Sequence, residues 1–140
     1  MTAASDTVRS TSLRAARAEA VVTWAYAAGF GIPAVPVGVY LLQHGSLPSF
    51  FGLFEMYGGP WSSRLDDAPF VVLLAGFAGV LAASAWVAWG VWRGSRRGAL
   101  ASLALLPVEA VFWIGFALPI PWIVAVARVA LLAAAWRRLR

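Results

Sequence analysis

Four apolar runs, separated by turns that carry arginine, set the limits on what this chain can fold into. They lie at about residues 18–42, 69–92, 99–118 and 120–136. As helix, at ~1.5 Å per residue, each crosses all or most of a ~30 Å hydrocarbon core. Of the 140 residues, 61% are apolar and only 12% charged, with a mean hydropathy of +0.78. So few polar groups cannot cover a water-facing surface, so the chain belongs in a bilayer. The expected fold is an all-α integral membrane protein, a four-transmembrane-helix bundle running up-down-up-down. Residues 1–17 read as a flexible cytoplasmic tail and residues 18–140 as a single membrane domain. A cleaved signal peptide fits poorly, because the first run is too long and no convincing small-residue cleavage site follows it.

Arginine placement orients the bundle. All eleven basic residues are Arg. Arg9, Arg14 and Arg17 precede the first run, Arg64 alone lies in the first loop, and Arg93, Arg96 and Arg97 lie in the second. The third loop has none, and Arg137, Arg138 and Arg140 follow the last run. By the excess of positive charge on cytoplasmic loops, this alternation expects both termini inside. The expected location is the plasma membrane, with multi-pass topology. The net charge of +5 is then explained by topology, and no nucleic-acid partner is expected.

Two charges interrupt the last two runs. Glu109 lies ten residues before Pro119, or ~15 Å along a helix; Arg128 lies seven after Pro121, or ~10 Å. Across so tight a turn they reach comparable depth. A charge at that depth costs roughly 2.5–3.5 kcal/mol on insertion scales, which pairing lowers. The expectation is a Glu109–Arg128 pair facing the bundle interior, with Ser102, Ser84 and Tyr26 (and Thr23 beside it) completing a polar centre. Glu109 reads as the only acid inside the membrane.

Other features mark structure. Gly76, Gly79 and Ala83 recur at helical steps and suit close helix packing, within or between chains. Pro33 and Pro36, among glycines, are expected to kink or partly unwind the first span. The loop 43–67 is rich in aromatics. It reads as a short interfacial helix capped by Ser49, followed by a tight turn at "YGGPW". In the sharper reading this loop is a lid over an outer cavity. Trp86, Trp89 and Trp92 read as an interfacial belt.

Catalytic motifs are missing. With no cysteine, thiolate chemistry and cysteine-ligated metals are excluded. The single histidine, His44, has no partner at metal-ligand spacing, so neither metal nor cofactor is expected. No phosphate-binding glycine loop, H-E-x-x-H or G-x-S-x-G occurs. The leading expectation is a non-enzymatic accessory or assembly subunit or a homo-oligomer, in contact with lipid and with its charge pair as a clamp. The alternatives are a carrier or binder of a small apolar or acidic molecule at Glu109 and Arg128, and an intramembrane enzyme using Glu109 as acid or base. In size, span count, in-facing termini and aromatic first loop, the chain resembles small DoxX-like membrane proteins. That likeness is of architecture alone and implies no site.

Overall fold

The computed structural model describes the backbone from Thr2 to Arg140 and the side chains from Leu13 onward. Helices α1 (Thr2–His44), α2 (Asp67–Trp92), α3 (Arg96–Gly115) and α4 (Ile120–Ala135) form the bundle, and a single 3-10 turn, Trp136–Arg138, closes it. Among the described residues, four helices are long and apolar enough to cross a membrane: Leu13–His44, Asp67–Trp92, Arg96–Gly115 and Ile120–Arg138. α1 packs chiefly on α2 and α4, and α2 on α3; α3 and α4 touch little.

Local chemistry sets the ends. Asp66 is the extended residue before α2, and Asp67 lies in its first turn, where the helix dipole favours a carboxylate. Gly94, at φ +77°, ends α2. The Ser95 side chain then accepts from the Gly98 N–H at 3.3 Å and starts α3. Pro121 sits in the first turn of α4, where its missing N–H costs nothing.

Several expectations change. The tail expected over residues 1–17 is helical in backbone from Thr2, since nothing before Gly29 breaks the helix. Its side chains through residue 12 lie outside the described residues; Ala16 is buried. The first span does not unwind at Pro33 and Pro36: both lie inside continuous helix. α1 is instead held along α2, with Gly31 against Leu81 and Gly38 against Leu74. α3 ends at Gly115, not Leu118, because Ala117 takes φ +50° in the turn to α4.

The outer loop holds no interfacial helix. Ser49–Phe50 and Phe54–Glu55 pair as an antiparallel hairpin. Phe51 and Gly52 both have positive φ, and the Leu53 N–H closes the turn on the Phe50 carbonyl at 2.9 Å. Such mirror-image turns suit hairpins, and the run is too short to favour a helix. Phe51 and Leu53 stand outward, 85% and 80% exposed. Tyr57 and Trp61 instead plug the end of the bundle. The Tyr57 hydroxyl donates to the Phe30 carbonyl. Trp61 packs edge-on to Phe112 and Phe116, centroids 5.7 and 5.1 Å away.

The small-residue stripe faces out. Gly76, Gly79 and Ala83 are exposed, and a Cβ on Gly79 would meet nothing within 4 Å. The close helix contact within the chain is elsewhere: a Cβ on Gly98 of α3 would stand 2.9 Å from the Gly90 carbonyl carbon and the Val91 nitrogen of α2.

Two apolar clusters fill the interior. One contains Tyr26, Leu74, Phe77, Leu81, Trp113 and Phe116. The other contains Ala16, Val91, Ala99, Leu132, Ala135 and Leu139. Along every helix, a short polar segment falls between them.

Candidate functional site

That segment is a polar layer to which all four helices contribute. Glu19 and Thr23 come from α1, Ser84 from α2, Ser102 and Glu109 from α3, and Arg128 from α4. All six are buried to 1% exposure or less. Helical spacing aims them inward: Glu19, Thr23 and Tyr26 share one face of α1, and Ser102, Glu109 and Trp113 share one face of α3.

Arg128 is the hub. Its Nη1 lies 2.9 Å from Glu109 Oε2 and 3.2 Å from Oε1. Nη2 donates to Ser102 Oγ at 2.9 Å, and Nε to Glu19 Oε1 at 3.3 Å. Thr23 and Ser102 each donate to the same Glu19 oxygen at 3.0 Å. Ser84 donates to Glu109 Oε1 at 2.5 Å. The only unpartnered buried side-chain polar atom among the described residues is Glu19 Oε2. Tyr26 stands one turn away and accepts from Trp113 Nε1 at 2.6 Å.

The structure thus brings together Glu109, Arg128, Ser102 and Ser84, with Tyr26 beside them. It corrects one reading: Glu109 is not the only buried acid. Glu19, near the start of the first run and close to Arg14 and Arg17 in sequence, is missed by the sequence reading. The Glu19, Thr23, Tyr26 spacing was the signal that could have found it. The centre holds two carboxyl groups and one guanidinium, all shielded from solvent.

Chemically, the layer suits holding better than turning over. The Arg128 fork is engaged by acceptors on two helices, and both Glu109 oxygens accept hydrogen bonds. A cleft of about 440 Å³ lies away from this layer, under the hairpin, lined by Phe30, Tyr57, Phe116 and Pro119 among others. Among the described residues, no group of three or more His, Asp or Glu is placed to hold a metal ion. No family model matches the sequence, and neither a curated protein nor a solved structure matches it.

Proposed function

We propose that this membrane protein is an accessory or assembly subunit, or a homo-oligomer, whose Glu19–Arg128–Glu109 centre is a structural clamp. One observation carries this reading: apart from Glu19 Oε2, the buried polar groups of four helices satisfy one another between two apolar layers. Burying charge in hydrocarbon is costly unless the charge is paired and hydrogen-bonded, so such a layer penalises any shift of register. The outward stripe of Gly76, Gly79 and Ala83 supports packing against another membrane helix. The arginine alternation supports cytoplasmic termini in the plasma membrane.

Native mass spectrometry of gently extracted protein, paired with thermal unfolding of Glu109→Gln, tests the proposal. A clamp subunit gives a defined oligomer or complex and a large stability loss. A monomer of unchanged stability refutes it.

A carrier or binder at Glu109 and Arg128 is the second reading. It draws on the unpartnered Glu19 Oε2, which leaves capacity for one more cation or donor. It requires transport or binding to fail in Glu109→Gln while the fold survives.

A further inference from the structure

Arg93, Arg137, Arg138 and Arg140 line a single recess of about 470 Å³ where α2 ends and α4 closes the bundle, with Leu13, Gly94 and Leu139 completing it. Backbone contacts build this recess. The Arg140 N–H donates to the Gly94 carbonyl at 3.0 Å, and the Arg96 N–H to the Arg140 carbonyl at 2.6 Å. The last residues are therefore tied to the α2–α3 turn. Leu139 is extended, at φ −69° and ψ 140°, and buried beside Ala135 and Val91. Its neighbours Arg138 and Arg140 are exposed.

Four arginines line this one recess, and among the residues whose side chains are described none of them pairs with a carboxylate. Among the described residues, both ion pairs belong to Arg128. Glu55, Asp66 and Asp67 lie at the opposite end of the bundle, and Glu19 and Glu109 lie inside it. The recess opens at the level of an aromatic girdle. Arg17 lies over the Trp92 ring at 5.3 Å and Arg96 over Trp136 at 4.8 Å, and tryptophans collect at the headgroup region of a bilayer. Charge bias for topology accounts for basic residues at this end. It does not account for two separate clusters meeting in one cavity closed by the backbone contacts of Arg140.

We infer that this recess binds a phosphate group, held by the planar forks of Arg93, Arg137, Arg138 and Arg140. At this depth the group belongs to an anionic phospholipid headgroup or to a free phosphate. The inference stands apart from the clamp, which lies in the middle of the bundle.

The test uses the full chain in mild detergent, with phosphatidylglycerol, phosphatidylcholine or inorganic phosphate added, read by native mass spectrometry. Phosphatidylglycerol retention should exceed phosphatidylcholine retention. Each arginine removed should weaken it roughly 5-fold, so Arg137→Ala/Arg138→Ala should lose it by an order of magnitude or more. Both side chains are exposed, so the fold should survive; an unchanged melting temperature checks this, and Arg137→Lys/Arg138→Lys should retain part of the binding. Arg97→Ala, at the same end but outside the recess, and Arg64→Ala, at the other end, should bind as the unaltered protein does. Displacement of the lipid by inorganic phosphate, or phosphate binding alone, supports the site and assigns it to a soluble source. Equal retention of the two lipids without phosphate binding overturns the inference. So does an equal loss in Arg97→Ala, which would mean diffuse surface attraction.

Discussion

Arg128 Nε donates across the bundle to Glu19 Oε1 at 3.3 Å, joining residues 109 positions apart in the chain. The same guanidinium holds Glu109 through Nη1. One cation thus ties α1 and α3 to α4, although α3 and α4 otherwise touch little. The two carboxylates are not equivalent. Glu109 has both oxygens engaged, whereas Glu19 uses only Oε1.

That inequality predicts different costs for the same chemical change. Glu109→Gln removes the closer ion pair and leaves a buried guanidinium short of charge, a loss of ~3–5 kcal/mol by comparison with other broken buried pairs. Glu19→Gln keeps an acceptor at Oε1 and alters an oxygen that has no partner. Its cost should be smaller, ~1.5–3 kcal/mol, the scale of a hydrogen bond between charged groups. Thermal or denaturant unfolding in detergent measures both, and equal losses would refute the asymmetry.

Removing the hub should be worse than removing either acid. Arg128→Met leaves two buried carboxyl groups facing each other, and little folded protein should be recovered. Glu19→Leu/Glu109→Leu/Arg128→Met replaces the whole set with apolar groups, a change that is often neutral or stabilising in other buried clusters. Recovery of most of the lost stability in the triple variant is the expected outcome. The serines and Thr23 would then turn to their own helix carbonyls.

Glycine substitutions should separate the real helix contact from the outward stripe. Gly98→Ala drives a methyl into the backbone of Gly90 and Val91 and should cost ~1–3 kcal/mol, as overpacking does. In the isolated monomer Gly79→Ala meets open space and should stabilise by up to ~1 kcal/mol through helix propensity. Melting temperatures of the two variants should shift in opposite directions.

The outer plug should respond to alkali. Burial pushes the Tyr57 phenol from 10 up to about 12, because the charged form is desolvated. The unfolded chain releases this proton first as pH rises. Stability is therefore full below pH 10, falls between about 10 and 12, and the contribution is gone above that. Tyr57→Phe should remove this component of the pH dependence at the cost of the hydrogen bond to Phe30. An unchanged alkaline slope in the variant would assign the effect elsewhere.

Four spans could be read directly from the sequence because crossing a bilayer is a demand on consecutive residues, met or missed along one dimension. The depth match of Glu109 and Arg128 was equally legible, since helix rise and a short proline turn fix height with no knowledge of neighbours. What the sequence left open was azimuth and turn conformation. Whether Glu19 faces the core or the interface depends on how α1 rotates against α2 and α4. The outward aspect of Gly76, Gly79 and Ala83 depends on which side of α2 its neighbours occupy. The hairpin depends on Phe51 accepting a positive φ, which its residue type disfavours. Those choices minimise buried unpaired charge and empty space summed over the whole bundle, so only the tertiary structure decides them.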